Sequence, residues 1–547
     1  GLEASRLLIA LDGVPLNNTI YRSGHMQSSS TINPFFTESF SIVTGPSSIS
    51  FGDGALGSVL IFNTTLPKLD RNSHCYLCQK FESSSNTVSS NFKSLYSKEN
   101  IGFFTGVSVK SIGNLKMGKN RLHNYPDWGN EDVISIENEQ LYTQYSQVDF
   151  IHKTLIKLSS QLSFLANTQY SESSKINRFD KLNDVLDDGT AKYSSWYYGP
   201  QKRFMQIITL RSAKSALFYD SYNALFAFQK IKESRHNKKQ NQDFLSNRFE
   251  AINIYDGTLS FNKSFSKINA KYGLGMRKQL VSSTANNLLE NGSIFYNTTR
   301  YPDGGTVVTD LFLYSKVKMY LSEKIIFSSG LRLNYNDLNS TFIDTQTYSF
   351  PFSTIQNKTK SIVNSMLINY HINNHLSLKT SFYTGFRNPN LDDIGKVFSK
   401  NDTYVVIPNP SLTPEKSNNI EIGFYVKSKN NTSFSMQYFN TIIKDAISRD
   451  LGSLNGQDSI LYDGEMMRIQ MNKNIEKAYI QGINVQLNYT PFNRLIITSK
   501  LNYIKGETIE KLPLAHIPPL NGNISFKYRI NEQTINFETM FAGWKKI

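Results

Sequence analysis

The chain is 547 residues long, with 36 Phe, 30 Tyr and only 3 Trp, a mean hydropathy of −0.37 and a formal net charge of +15. No run of about 18 consecutive apolar residues occurs, which excludes a conventional transmembrane helix, so any membrane span has to be made of strands. Lys and Arg are scattered along the chain rather than gathered into a binding motif, which excludes nucleic acid as the expected partner, whereas such aromatic richness suits a barrel with interfacial girdles.

The first 66 residues have a mixed pattern, a dense glycine cluster and no hairpin rhythm, and they read as a separate small α/β element. Leu7-Leu8-Ile9-Ala10-Leu11 is the pattern of a buried strand, Asp12-Gly13 a turn, and Phe40-Ser41-Ile42-Val43 a second strand running into Gly45-Pro46. Glycines at 45, 52, 54 and 57 allow positive φ and close backbone approach in a confined space.

Cys75 and Cys78 are the only cysteines, too few for a disulfide scaffold of this length. Their surroundings, Ser73, His74, Tyr76 and Leu77, look extended, and residues i and i+3 of a strand face opposite sides, which puts an internal disulfide out of reach. A zinc site with His74 would lack a fourth ligand. The expectation is two incidental thiols near the start of the barrel.

From about residue 300 onward one unit repeats: an alternating strand, a short polar turn and a second alternating strand. Leu331, Leu333 and Tyr335 share one face, and Arg332, Asn334 and Asn336 the other. The clearest hairpin sets Ile483, Val485, Leu487 and Tyr489 against Asn484, Gln486 and Asn488, turns at Thr490 to Arg494, and returns through Leu495, Ile497, Leu501 and Tyr503. Segments 173–200, 279–306, 338–360, 388–416 and 450–475 are rich in Asn, Asp, Ser and Gly and are expected to be long outward loops. His371 and His375 flank Asn373-Asn374, a turn pattern rather than a ligand pair. No Ser/His/Asp set, phosphate loop or H-E-x-x-H motif supports an enzyme, and no metal site is expected.

Two segments together resemble the TonB-dependent outer-membrane receptor family. The first is Leu8 to Asn17, with Asp12 and Gly13, followed by Phe40 to Leu60, with Gly45, Pro46, Gly52 and Gly57; it is similar to the second half of the family's plug domain. The second is Thr384-Gly385-Phe386-Arg387-Asn388-Pro389-Asn390, then Asn409-Pro410-Ser411-Leu412-Thr413-Pro414-Glu415-Lys416, which looks like a barrel motif joining a strand end to a strand start. Arg387 and Glu421 would face the lumen. Thr44 stands where the family often has Arg, and Ser58 where it often has Gly.

The resemblance implies a mainly β chain: part of a plug over residues 1–66, then a large antiparallel transmembrane barrel over 67–547. The family forms 22 strands and roughly 18 are countable here, so an incomplete barrel lacking its last strands is expected. The plug's first half and the TonB box would precede Gly1, which leaves a partial record and a broken gene as alternatives.

The implied function is import of a scarce nutrient (a ferric siderophore, haem, cobalamin or similar) across the outer membrane of a Gram-negative bacterium, driven by the TonB-ExbB-ExbD complex and without a cofactor. Ligand contacts would come from the plug loops, through Arg22, His25 and Gln27 and through the hairpin tip Ser50, Phe51 and Asp53. Outer-membrane lipid and lipopolysaccharide would surround the wall. A passive outer-membrane channel and a non-functional receptor fragment are the rival readings.

Overall fold

The computed structural model describes residues 4–22, 27–56, 58–116, 135–136, 138–186, 188–344, 347, 350–399, 403–428, 432–462, 464–514 and 516–544. Two bodies are built from them, a small sheet and a barrel that surrounds it.

The small sheet has the order β2-β1-β4-β3, with β1 Leu7–Leu11, β2 Val14–Pro15, β3 Thr37–Thr44 and β4 Ser58–Thr64. Strands β1 and β4 run parallel, and the apolar run that β1 carries is buried on both faces, as a parallel strand requires. Ile9 and Leu11 pack with Leu16, Ile32 and the barrel residues Met205 and Ile207, while Leu8 and Ala10 pack on Ala55 and Val59. The turn between β1 and β2 is the two-residue Asp12-Gly13, both at positive φ (51° and 88°), the geometry that matches strand twist. Strand β3 covers the expected 40–43 segment but is an edge, and its Phe40 and Ile42 are exposed. Helical structure in this body takes the form of 3-10 turns, the last being Gly45–Ser50, where Gly-Pro-Ser-Ser cannot sustain an α-helix.

The wall begins with β5 (His74–Glu82), β6 (Thr87–Ser97), β7 (Ile101–Ile112), β8 (Tyr145–Lys157), β9 (Leu162–Ser173), β10 (Lys202–Ser212), β11 (Ser221–Lys239), β12 (Phe244–Phe265) and β13 (Ile268–Leu289). It continues through β14 (Thr306–Tyr320), β15 (Ile325–Thr341), β16 (Thr354–His371), β17 (Leu376–Arg387), β18 (Glu415–Lys427), β19 (Ser433–Leu451), β20 (Glu465–Phe492), β21 (Leu495–Thr508), β22 (Asn521–Ile530) and β23 (Gln533–Ala542). Each pairs antiparallel with the next, and the hairpin read from sequence is present in register, with Val485 opposite Leu501.

Three expectations change. The repeating rhythm starts at β5 rather than near residue 300; among the described residues the long strands number 19, beside the roughly 18 counted from sequence. Parts of three expected loops, 279–289, 354–360 and 465–475, are the outer ends of β13, β16 and β20, since polar residues on both faces are compatible with strands that rise into water. The strand order closes on itself, with β23 beside β5, where an open edge was expected; an open edge would leave backbone groups unpaired in lipid. That seam still differs from the other junctions: both strands are exposed along nearly their whole length, and no paired register joins them among the described residues.

Candidate functional site

Period-two geometry sends alternate wall residues inward, and the polar set of each strand therefore meets the small sheet. Two of these meetings are saturated with charge. At the turn, the Asp12 carboxylate accepts from Thr64 N (2.8 Å), Thr64 Oγ1 (2.6 Å), Asn167 Nδ2 (2.8 Å) and Gln169 Nε2 (2.9 Å). The fully buried Lys153 ammonium lies 3.3 Å from it and donates to Thr64 O at 3.0 Å.

At the second meeting, the buried Glu415 accepts from Arg6 Nη2 (2.6 Å) and Nε (3.0 Å), from Arg387 Nε (2.7 Å) and from Ile447 N (2.6 Å). Arg387 reaches on to Asp393 at 2.5 Å. Next to it the sheet and wall touch backbone to backbone: a Cβ at Gly385 would stand 3.3 Å from Leu56 Cα. Gly45, at φ +66°, fits against Glu421, which takes hydrogen bonds from Tyr383 Oη and Gln437 Nε2, each at 2.8 Å.

Between these attachments lies a chamber of about 340 Å³, lined from the small body by Asn18, Tyr21, Ser50, Phe51 and Asp53, and from the wall by charged residues. Arg277 donates to the carbonyls of Pro15 (3.2 Å) and Asn17 (2.7 Å), and Arg332 donates to Ser50 O (3.1 Å) while lying 4.0 Å over the Phe312 ring. Gly52, at φ +90°, has no room for a side chain because Arg332 occupies the place of its Cβ. Asp53 accepts from Asn388 N at 2.8 Å, yet burial raises its carboxyl above the ordinary value against the opposing pull of Asn388 and Arg387.

Above the chamber a connecting segment closes on the loop Leu16 to Arg22. The short helix Leu391–Ile394 starts at a capping box, Asn390 with Asp393, which leaves its first N–H groups free to bind outside the helix. Asp392 N donates to Thr19 O (3.2 Å), Leu391 N to Thr19 Oγ1 (3.1 Å) and Asn390 Nδ2 to Tyr21 O (2.8 Å). Asp392 itself meets Lys396 at 2.6 Å, Arg300 at 3.5 Å and Tyr301 Oη at 2.8 Å. Burial works against ionisation, but Lys396 and Arg300 prevail and hold the carboxyl well below its usual range.

Just beyond, three guanidinium groups converge on one phenol. Arg22 Nη1 and Arg178 Nη1 lie 3.5 Å and 3.4 Å from Tyr198 Oη, and the Arg235 guanidinium is 5.9 Å from the ring centroid. Arg178 also lies over Trp196 at 4.7 Å. Burial would raise the Tyr198 hydroxyl, but Arg22, Arg178 and Arg235 lower it below the ordinary phenol value. Asp180 pairs with Arg178, and Glu250 and Glu233 both lie against Arg235, so three carboxylates accompany the three guanidiniums and the cluster is strongly polar.

The residues expected from sequence fall into two groups. Ser50, Phe51 and Asp53 line the chamber together, and Arg22 belongs to the outer cluster. His25 and Gly57 lie outside the described residues; Gln27 opens the 3-10 turn Gln27–Thr31 and Pro46 lies in the turn Gly45–Ser50, with their side chains also outside that set. Pro389 lines the chamber, Asn409 N donates to Ile394 O at 3.0 Å, and Pro410 and Pro414 lie in the segment that returns to β18. His371 and His375 bracket a turn, with His375 Nδ1 against Lys427 O. Cys75 and Cys78 are exposed thiols on opposite faces of β5, and no group of three His, Cys, Asp or Glu side chains is placed to hold a metal among the described residues.

Sequence reading missed Arg6, Lys153, Arg178, Tyr198, Arg235 and Arg277, and it set Arg332 on the polar face without giving it a role. Arg6, Lys153, Arg277 and Arg332 act across long sequence separations, and Arg178, Tyr198 and Arg235 come together with Arg22 only in the folded barrel, so only alternation, which marks Arg332 as inward, offered any signal.

A family model described as TonB dependent receptor-like, beta-barrel matches residues 87–545, and one described as TonB-dependent Receptor Plug Domain matches residues 1–59. A curated relative from Haemophilus influenzae, named "Probable hemoglobin and hemoglobin-haptoglobin-binding protein 4", is 28% identical over 169 residues, which is 29% of this chain and 17% of that protein's length. Among solved structures, the copper transporter OprC superposes with a TM-score of 0.77 at 11% identity, covering 98% of this chain and 77% of its own. The ferric enterobactin receptor PfeA from Pseudomonas aeruginosa gives 0.73 at 14% identity, with 98% and 78% covered. At such identities these structures establish likeness of fold.

Proposed function

Because this chain belongs to the TonB-dependent receptor family, whose members are transporters and not enzymes, we propose that it binds a metal chelate carrying negative charge and imports it by energy-coupled transport. The observation that carries this reading is the convergence of Arg22, Arg178 and Arg235 on Tyr198, directly outside the segment that clamps the plug loop. Guanidinium forks recognise carboxylate, phenolate and phosphate oxygens, and the Trp196 and Tyr198 rings add flat apolar surface for an aromatic chelator. The barrel lies in the outer membrane of a Gram-negative bacterium, and the TonB-ExbB-ExbD complex supplies the energy.

In this mechanism the ligand settles against the arginine cluster and the clamp at Tyr21, Asn390 and Asp392. A pull on the plug then opens the chamber beneath, which Ser50, Phe51 and Asp53 line, and the ligand passes along its polar wall. No covalent step is needed.

The test is binding by the purified full-length receptor, comparing an anionic ferric tris-catecholate with a neutral ferric hydroxamate. Preference for the anion, lost in Arg22→Ala and Arg178→Ala, supports the reading; equal binding of both contradicts it. Haem is a second reading, favoured by the Haemophilus relative. His236 is a poor axial ligand because both its ring nitrogens are engaged, by Asn247 and Ser234. Haem binding that survives loss of the arginines would favour that second reading.

A further inference from the structure

The wall's outward face carries a feature that transport does not use. Across β18, β19 and β20 the registers align outward residues into rows: Val426 with Phe434 and Leu487, Phe424 with Met436 and Val485, and Ile422 with Tyr438 and Ile483. These residues alternate with the buried, plug-facing set Glu415, Ser417, Asn419 and Glu421, so they face the bilayer. The next rows toward the outer loops turn polar, first Ile420 with Asn440 and Gln481, then Asn418 with Ile442 and Tyr479. The row after that is Lys416, Lys444 and Lys477, three lysines directly opposite one another on three neighbouring strands and all exposed.

Such a row is unfavourable by itself. Side chains directly opposite on an antiparallel pair sit about 5 Å apart at Cβ, and like charges there repel. Nearby carboxylates do not relieve it: Glu415 points inward to Arg387, Asp450 pairs with Lys473 and Glu507 with Lys505. Among the described residues, none of the three ammonium groups has a carboxylate within ion-pair distance.

The row's height identifies what does relieve it. From Val426 to Lys416 is ten residues, roughly 33 Å along the strand at about 3.3 Å per residue. With the usual barrel tilt that is roughly 25 Å along the membrane normal, the height of a barrel's apolar band. The lysines therefore stand where outer-leaflet lipid phosphates lie. We propose that Lys416, Lys444 and Lys477 form a docking site for a phosphorylated glycolipid headgroup of the outer leaflet, whose acyl chains lie down the rows that end at Val426, Phe434 and Leu487. The proposal rests on the outward wall spanning a bilayer, and it is independent of which nutrient the receptor carries.

The experiment is native mass spectrometry of the full-length receptor in detergent, titrated with bisphosphorylated lipid A, with the dephosphorylated lipid, or with inorganic phosphate. The expected result is retention of bisphosphorylated lipid, with little of the dephosphorylated form and no stable adduct of phosphate alone. The triple variant Lys416→Ser, Lys444→Ser and Lys477→Ser should lose about a factor of five per lysine, roughly a hundredfold in all. Lys427→Ser, at the opposite end of β18, should retain lipid as the unaltered receptor does. Equal retention by the triple variant, equal retention of dephosphorylated lipid, or equal capture of inorganic phosphate would each overturn the proposal.

Discussion

The plug is attached to the wall in one way and faces the chamber in another. At Asp12 and at Glu415 every charge is matched by short contacts, four hydrogen bonds and a lysine at the first, two arginines and a backbone N–H at the second. Around the chamber the charges are matched more loosely: Arg277 lies 3.4 Å from Asp256 and otherwise reaches the Asn17 carbonyl, Arg332 reaches Asn334 and the Ser50 carbonyl, and Asp53 is buried with its ionised form disfavoured. Tightly paired buried charges resist separation, whereas a polar, part-filled cavity is where a plug can shift and a ligand can pass. The two attachments thus act as bolts and the chamber as the route.

The largest effect should come from breaking a bolt. Glu415→Gln leaves the Arg6 and Arg387 guanidiniums buried without their shared carboxylate, a change that costs about 3–5 kcal/mol in comparable sites. Hydrogen exchange over β1 and β4 should rise steeply while exchange in β11 to β14 stays low; unchanged plug protection would mean that Glu415 is no bolt.

Gly52→Ala comes next. It forces a side chain into φ +90° and onto Arg332, at a cost of about 1–3 kcal/mol, and should displace the Ser50 to Asp53 tip into the chamber. Reduced ligand uptake with intact β1 and β4 protection would separate route from bolt. Arg22→Ala should weaken anionic ligand binding by roughly tenfold, the loss of one charge-assisted contact, with no effect on plug protection measured by the same exchange experiment.

The smallest effect is on pH dependence, and its sign differs between the two places. The Asp392 carboxyl is depressed, so the clamp it anchors is fully formed above the ordinary carboxyl value of about 4 and weakens as pH falls through and below it. The Asp53 carboxyl is raised, so its ionised form costs stability near neutrality and that cost disappears as pH falls. Exchange at residues 17–22 should therefore stay level down to about pH 4 and then climb, while exchange at 50–56 should slow over the same descent. Parallel behaviour of the two segments would contradict the distinction.

Much of this was legible in the sequence. Alternation gave the hairpin around Thr490 to Arg494 and the inward placement of Arg332, and the order of Asp12-Gly13 and the glycines gave the plug turn. The rhythm was read only from about residue 300 because β11 to β13 alternate less cleanly, with Lys230, Lys232 and Lys278 breaking the apolar face. The bolts were not legible: Arg6 and Glu415 are 409 residues apart, and Asp12 and Gln169 157. Nor was the arginine cluster, since Arg178 and Tyr198 lie in a connection expected to be loop and meet Arg22 only after the barrel has closed around the plug.

The most direct test of transport is uptake of an iron-labelled anionic ferric chelate by cells that make the full-length receptor, with and without a working TonB. Accumulation that requires both the receptor and TonB, and falls in Arg22→Ala, is the expected result. Accumulation that is the same without TonB would make the protein a passive channel and contradict the account.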